Sequence, residues 1–181
     1  PTRMITFDNV EVPVSHRLGE EGQGFAIAME GLDGGRINIA TCSVGTAQQA
    51  LEDAKAYVAD RNQFGQAIAD FQNTQFKLAD MVTELVAARQ MIRLAASKLD
   101  AGDTQASTYC AMAKRFATDV GFKVCNDALQ LFGGYGYIRE YPVERYVRDT
   151  RVHQILEGTN EVMRVIVGRK LMMDGALEVI K

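Results

Sequence analysis

The sequence predicts an all-α fold, an antiparallel four-helix bundle, and three observations support this prediction. Apolar residues recur at alternating steps of three and four over four segments, which is the spacing of one helix face. Glycine-bearing or short polar connectors separate these segments, so neighbouring helices should run antiparallel. The chain has 181 residues, of which 47% are apolar, and no tryptophan. It can therefore close one sizeable core, and we expect one main domain.

Before the helices, alternating strand-like residues from Ile5 to Val12 predict one short strand, followed by Pro13 and a glycine-bearing loop. The first helix is then predicted over residues 25–61, and the connector NQFGQAIADFQ separates it from a second that stops at Gly102. The third begins after Asp103-Thr104 and ends at the glycines of QLFGGYGY, and the fourth runs from Thr159 or Asn160 towards Gly175. The residues predicted to face inward are Ala40, Val44, Ala47, Leu51, Ala54 and Val58; Leu78, Val82, Leu85, Ile92 and Leu99; Cys110, Ala113, Ala117, Val120, Val124, Ala128 and Leu131; and Val162, Val165, Ile166 and Met172.

Composition excludes several functional classes. The net charge is -3 with acids and bases dispersed, so neither nucleic acid nor a membrane surface is expected as a partner. No apolar run approaches the roughly 20 residues that cross a bilayer. Three cysteines without CxxC spacing indicate free thiols in a reducing compartment, and the two histidines are too few and too distant for a metal site. The chain opens on Pro1 rather than Met, so we expect a processed product or an excised fragment.

Two charged features need interpretation. Glu157 follows Ile155 and Leu156 and stands just before the last predicted helix. An acid there favours the helix dipole by about 0.3 to 1 kcal/mol, but a partly dry pocket could also raise its pKa and make it a base. Composition leaves both readings open. Arginines between residues 139 and 151 alternate with acids, which favours a surface ion-pair network over a polyanion site.

Six segments, in order along the chain, resemble a known family, and this resemblance favours the role of Glu157 as a base. They are LDGGRINIA (32–40), RNQFG (61–65), QFKLADM (75–81), QLFGGYGY (130–137), EYPVERYVRD (140–149) and VHQILEGTNEVMR (152–164). Together they resemble the C-terminal third of an acyl-CoA dehydrogenase, in order and over nearly the whole chain. The first and last segments are most similar to the isobutyryl-CoA dehydrogenase branch of that family. The resemblance implies that residues 1–22 are the end of a middle β-domain with a hinge loop, and that residues 23–181 are the C-terminal helical domain.

The resemblance implies a role for Glu157: it matches the family's catalytic base, which takes a proton from the carbon α to a thioester while hydride leaves the β carbon for FAD. It also implies that several residues contact FAD. Without the resemblance, each of them would be explained by a structural role at a helix end, in a helix cap or in a connector. These are Arg61, Phe64, Gln72, Gln130, Gly133, Gly134, Thr159 and Glu161. Substrate contacts are implied for Asp33, Arg36, Gly158 and Arg169.

The expected function is α,β-dehydrogenation of a short branched acyl-CoA similar to isobutyryl-CoA, with a straight-chain or 2-methylbutyryl substrate as the alternative within the enzyme class. A non-catalytic helical oligomerisation module is the alternative from another class, and the chain alone is expected to be inactive. The resemblance further implies FAD as cofactor, an electron-transfer flavoprotein as acceptor, and a homotetramer. The location would be cytoplasmic in a bacterium and the mitochondrial matrix in a eukaryote.

Overall fold

The computed structural model describes residues 3–174 and confirms the all-α fold. Five helices follow one another along the chain. They are α1 (Gly24–Asp60), α2 (Gln72–Asp100), α3 (Ala106–Phe132), α4 (Val143–His153) and α5 (Asn160–Asp174). Two-residue strands, β1 (Asn62–Gln63) and β2 (Gln66–Ala67), form an antiparallel hairpin between α1 and α2. Short 3-10 turns occupy Val14–His16, Ile68–Asp70 and Gly133–Tyr137.

Helix α3 is the centre of the bundle, because it packs against α1, α2, α4 and α5. Small residues allow this close packing. The fully buried residues of the interface between α1 and α3 include Ala40, Ala47, Ala50, Ala54, Ala113 and Ala117. A Cβ added at Gly121 of α3 would lie 2.9 Å from Ser43 Cβ and 3.0 Å from the Ser43 carbonyl oxygen of α1. Glycine at position 121 therefore sets how closely the two helices approach.

The hairpin after α1 depends on an unusual backbone conformation. Phe64 and Gly65 both have positive φ, 53° and 84°, which matches the primed turn that suits a two-residue hairpin loop. Asn62 pairs with Ala67, and Gln63 pairs with Gln66. This geometry holds the Phe64 side chain outward, 94% exposed.

Two predictions about secondary structure were wrong. The segment predicted as an opening strand, Ile5 to Val12, has no regular secondary structure within the described residues, and its side chains are exposed. Helix α4 was not predicted, because its charged sequence carries too few apolar residues to show a helical period. It begins after Pro142 and is fixed to the bundle by the buried side chains of Val143 and Thr150.

The residues predicted to face inward are buried or half-buried in α1 and α3, but some of those predicted in α2 and α5 are exposed. Val82, Val162 and Val165 are each 46 to 47% exposed and Met172 is 85% exposed. In α5 the fully buried residue is instead Met163. The predicted last-helix stop at Gly175 lies outside the described residues.

Cys42, Cys110 and Cys125 are free thiols, as predicted, and the latter two are buried. The ion-pair network expected between residues 139 and 151 does not form within the described residues; instead Arg145 and Arg151 lie over the aromatic rings of Tyr146 and Phe122. None of the described helices combines the length and apolar character needed to cross a bilayer.

The close contact at Gly121 yields a stability prediction. Gly121→Ala should lower the free energy of unfolding by about 1 to 3 kcal/mol, because the added methyl group would press on the Ser43 backbone. Gly45→Ala is the matched control on α1, where an added Cβ meets nothing within 4 Å. The control should be stabilised by up to about 1 kcal/mol, since alanine favours the helix. Urea denaturation of both variants measures the difference, and equal effects would contradict this packing argument.

Candidate active site

A cavity of about 790 Å³ opens between the hairpin and the end of α3. We call it the hairpin cavity. Its walls come from the last turn of α1, the hairpin, the start of α2 and the glycine-bearing turn after α3. Its lining includes Tyr57, Arg61, Phe64, Phe71, Gln130, Gly133, Gly134 and Tyr135. The structure thus brings together five of the residues predicted to contact FAD: Arg61, Phe64, Gln130, Gly133 and Gly134.

The chemistry of the hairpin cavity suits a nucleotide. The Arg61 guanidinium lies 5.3 Å from the Tyr135 ring centroid, and no carboxylate in residues 3–174 forms an ion pair with it. A Cβ added at Gly133 or Gly134 would meet no atom within 4 Å, so these glycines leave backbone open to a ligand. A guanidinium free to bind phosphate, aromatic walls and accessible backbone are the features that a phosphate-linked ring system needs.

Aromatic side chains form the floor beneath this cavity. The rings of Tyr57 and Phe132 stack with centroids 4.1 Å apart, and Tyr141 meets both edge-on. Burial raises the pKa of Tyr57, and the neighbouring Arg61 opposes that rise. The stack therefore fixes the end of α1, from which Arg61 extends into the cavity.

A second group of predicted residues lies in the loop between α4 and α5, which we call the Glu157 loop (154–160). The Asn160 N–H donates to the Gln154 carbonyl at 3.0 Å and closes the loop. Within it, Glu157 has φ 56° and Gly158 has φ 86°. A non-glycine residue in this left-handed region is uncommon and costs of order 1 kcal/mol or more, so the surrounding structure must hold it.

This backbone conformation places the Glu157 carboxylate against α1. A Cβ added at Gly35 would overlap Glu157 Oε2 and lie 3.0 Å from its Cδ. Glycine at position 35 therefore leaves the space that the carboxylate occupies. The side chain is exposed, so one face of the carboxylate remains accessible beside α1.

Lys114 of α3 lies beneath the Glu157 loop. Its side chain is fully buried, and Nζ donates to the Gly158 carbonyl at 2.7 Å and to Asn160 Oδ1 at 2.9 Å. Burial lowers the pKa of Lys114 to about 8, although Asp119, Glu161 and Glu157 act in the opposite direction. Lys114 was not among the residues predicted from the sequence. The available signal was a lysine on the inward face of α3, between Cys110 and Ala117.

The Asn160 side chain completes the connection between the loop and α3. It is 3% exposed, and its amide nitrogen donates to Asp119 Oδ1 at 2.7 Å and to Thr118 Oγ1 at 3.0 Å. Gln154 also donates to Asp119 Oδ1, at 2.7 Å. Both ends of the Glu157 loop are thus hydrogen-bonded to the same turn of α3.

The predicted substrate residues Asp33 and Arg36 bind each other beside Gly35. Arg36 Nη1 donates to Asp33 Oδ1 at 2.6 Å, and the Ser107 hydroxyl donates to the same oxygen at 3.0 Å. Arg36 is 8% exposed, and its Nε has no hydrogen-bond partner. A buried donor without a partner is uncommon, so Arg36 Nε is a donor that the described residues leave unsatisfied.

The remaining predicted residues are capping or surface residues in this structure. Thr159 Oγ1 accepts from the Val162 N–H at 3.4 Å, at the start of α5. The pKa of Glu161 is lowered, because its own backbone N–H and the Thr159 hydroxyl donate to the carboxylate. Gln72 is the exposed first residue of α2, and Arg169 is exposed on α5. Neither residue lines the hairpin cavity or the Glu157 loop.

The two groups of residues are far apart. The Glu157 loop is hydrogen-bonded to Lys114, Thr118 and Asp119, in the first half and the middle of α3. Gln130 in the hairpin cavity lies about 17 to 24 Å further along the helix, at 1.5 Å per residue. No group of three or more His, Cys, Asp or Glu side chains among the described residues could hold a metal ion.

The fold and these motifs define the class. The family model for the acyl-CoA dehydrogenase C-terminal domain matches residues 22–172, and the chain belongs to that family. It is 58% identical to isobutyryl-CoA dehydrogenase of Dictyostelium discoideum and 53% identical to that of Bos taurus, over 96% of this chain and 42% of each relative. The butyryl-CoA dehydrogenase structure from Megasphaera elsdenii matches with a TM-score of 0.88 and 48% identity, over 92% of this chain and 43% of that one. The chain thus spans less than half the length of these relatives.

The lowered pKa of Lys114 yields a pH prediction. The ordinary pKa is 10.5 and the folded pKa is about 8, so the unfolded chain binds more protons between these values. The free energy of unfolding of the wild type should therefore rise with pH across this window relative to Lys114→Met, by up to about 3 kcal/mol. Urea denaturation of both proteins at several pH values measures it.

Lys123→Met is the control on the same helix. Glu84 raises the pKa of Lys123 through a 2.6 Å ion pair. The stability that this pair contributes is present below the ordinary lysine pKa and is lost as the pH rises through the folded value. The wild type should therefore lose its advantage over Lys123→Met at high pH. A difference between wild type and Lys114→Met that stays flat with pH would contradict the prediction.

Proposed function

We propose that this chain provides the catalytic base and part of the cofactor site of an FAD-dependent acyl-CoA dehydrogenase. The observation that carries the proposal is the Glu157 carboxylate, held by a left-handed turn against Gly35. A residue needed only for the helix dipole would not require this turn, a matching glycine on another helix, and anchoring from α3. Family membership supports the same reaction class.

In the proposed reaction, one oxygen of the Glu157 carboxylate accepts the proton from the α carbon of the acyl thioester. The electron pair of that C–H bond becomes the second bond between the α and β carbons, as hydride leaves the β carbon. FAD, when bound, supplies the oxidised acceptor for that hydride. The products are an enoyl thioester, reduced cofactor and a protonated Glu157.

The hairpin cavity is the proposed site for part of FAD. Its volume and its guanidinium, aromatic and glycine-backbone groups fit the adenosine and phosphate portion. Arg61 would bind phosphate, while Phe64, Gln130, Gly133 and Gly134 would line the cofactor. Since Gln130 lies about 17 to 24 Å along α3 from the residues that anchor the Glu157 loop, we propose that this cavity serves the FAD of a neighbouring subunit in a homotetramer.

Most of the other residues predicted to contact cofactor or substrate lie close to Glu157 in the sequence or on α1. Thr159 and Glu161 are next to Glu157, so we propose that they border the reacting end of the cofactor, and that Gly158 contacts the substrate. Asp33 and Arg36 bind each other on the same stretch of α1 as Gly35, which contacts the Glu157 carboxylate, and this supports a role beside the CoA portion. Gln72 and Arg169 are proposed contacts by family resemblance alone.

For the substrate we propose a short branched acyl-CoA similar to isobutyryl-CoA. The relatives that carry this name are 53 to 58% identical to the chain. A short-chain-specific acyl-CoA dehydrogenase of Megasphaera elsdenii is 47% identical, so a straight-chain substrate is the alternative. We further propose an electron-transfer flavoprotein as acceptor, and a location in the mitochondrial matrix or the bacterial cytoplasm according to source.

One observation favours a second function for the chain in isolation. Its first residues expose large apolar side chains: Met4, Ile5, Phe7, Val10, Val12, Val14, Leu18 and Phe25. Large apolar side chains exposed in one segment of chain are typical of an interaction region. A non-catalytic helical oligomerisation module would use this surface for self-association and would bind no FAD. Stoichiometric FAD in the purified chain would count against that alternative.

Changing the proposed base gives the first functional prediction. In the natural gene product that carries this chain, Glu157→Gln keeps the side-chain size but removes the basic oxygen. Anaerobic flavin reduction by acyl-CoA should slow by at least about 10²- to 10⁴-fold. Stopped-flow absorbance of the bound flavin measures this rate.

Binding and stability are the controls for this variant. Acyl-CoA should still perturb the flavin spectrum without bleaching it, and the melting temperature should change little. If Glu157 acts only on the helix dipole, the variant should lose some stability and keep its turnover. Reduction at the wild-type rate would therefore refute the assignment of Glu157 as the base.

The substrate proposal gives a second prediction. The complete enzyme should oxidise isobutyryl-CoA with a higher kcat/KM than octanoyl-CoA, because two isobutyryl-CoA dehydrogenases are 53 to 58% identical to the chain. Steady-state assays with isobutyryl-, butyryl-, 2-methylbutyryl- and octanoyl-CoA measure the order. A flat or reversed ratio would remove the branched-chain proposal and leave the reaction class intact.

A further inference from the structure

Lys114 is an unusual residue for the interior of this bundle. Its neighbours on the inward face of α3, Cys110, Ala113 and Ala117, are fully buried and apolar. Within the described residues no carboxylate lies at ion-pair distance from its ammonium group. A buried ammonium without hydrogen bonds is strongly unfavourable. Its two oxygen partners therefore determine where the side chain can lie.

Both partners belong to the Glu157 loop. Nζ binds the Gly158 carbonyl at 2.7 Å and Asn160 Oδ1 at 2.9 Å, so one ammonium group holds the residues on either side of Thr159. Gly158 directly follows the left-handed Glu157 and is itself left-handed, with φ 86°. Fixing the carbonyl of Gly158 fixes the orientation of the peptide that ends this two-residue turn.

We propose that Lys114 is a positioning residue for Glu157: it holds the Gly158 carbonyl and the Asn160 side chain so that the Glu157 carboxylate stays against Gly35. This inference rests on the proposed function of Glu157 as the base. Lys114 does not touch the reacting atoms in this arrangement. It acts by keeping a strained turn in the one conformation that presents the carboxylate beside α1.

An alternative is that Lys114 contributes only to stability. The chemistry of the site argues against this, because a buried charge contributes little net stability compared with an apolar residue of similar size. The side chain instead supplies directed N–H donors to two specific oxygens of one loop. A misplacement of about 1 Å at a reacting group can cost about 10²-fold in rate, so such an anchor affects the rate more than the stability.

The test uses Lys114→Met, which removes the donors, and Lys114→Gln, which keeps a shorter neutral donor, in the natural FAD-loaded gene product. Flavin reduction by isobutyryl-CoA should slow by about 10- to 100-fold in the methionine variant and by less in the glutamine variant. FAD content and acyl-CoA affinity should stay within about threefold of wild type. Lys123→Met, the same substitution on the exposed surface of α3, should leave all three unchanged.

Two further readouts separate positioning from general stability. With substrate deuterated at the α carbon, the kinetic isotope effect on flavin reduction should increase in Lys114→Met, because proton abstraction becomes more rate-limiting. Loss of folded protein alone would lower the amplitude and leave this ratio unchanged. Hydrogen exchange should also show reduced protection of the Asn160 amide, which binds Gln154, in Lys114→Met and not in Lys123→Met.

The outcomes distinguish this proposal from the proposed function. Wild-type reduction rates, isotope effects and Asn160 protection in the Lys114 variants, beside an inactive Glu157→Gln, would overturn the positioning role alone. Full activity of Glu157→Gln would overturn the base assignment, and the positioning role with it. If Lys114→Met does not fold, the same comparisons are made with Lys114→Gln.

Discussion

The close packing of α3 on α1 is the constraint on which both candidate sites depend. Gly121 meets the Ser43 backbone without a side chain between them, and alanines fill the interface on both sides. Because these residues are small, the two helices approach closely over most of their length. Gly35 in the first half of α1 can then face the Glu157 loop, while Arg61 at the C-terminal end reaches the hairpin cavity. Larger residues at this interface would separate both pairs.

At the Glu157 loop, two unfavourable features stabilise each other. A left-handed glutamate and a buried lysine are each destabilising alone. The carbonyl that follows the left-handed turn gives the lysine an acceptor, and the lysine holds that turn in place. Asp119 contributes on the same side, since it accepts from both Asn160 and Gln154. Strain of this kind is typical of functional sites, where position matters more than stability.

The sequence predicted the repetitive parts of the fold and little of the local geometry. The period of α1 and α3 follows from residues such as Val44 and Val124, because one buried face dominates each helix. Helix α4 could not be predicted from apolar periodicity, since only Val143 and Thr150 of its residues are buried. The exposure of Val162 and Val165 has the same cause: Met163, between them, is the residue that packs inward. In a short helix, the pattern of apolar residues alone does not show which side packs against the neighbouring helices.

The candidate site was predictable by residue type and not by arrangement. Family resemblance predicted Glu157 and Arg61 as site residues, but the positive φ of Glu157 and the space left by Gly35 depend on contacts between helices remote in sequence. Lys114 was not predicted for the same reason. A lysine among alanines on a helix has no evident role in the sequence until its hydrogen-bond partners are known. Its partners lie 44 and 46 positions away. The hydrogen bonds between α3 and the loop that carries the proposed base therefore cannot be predicted from the sequence of α3 alone.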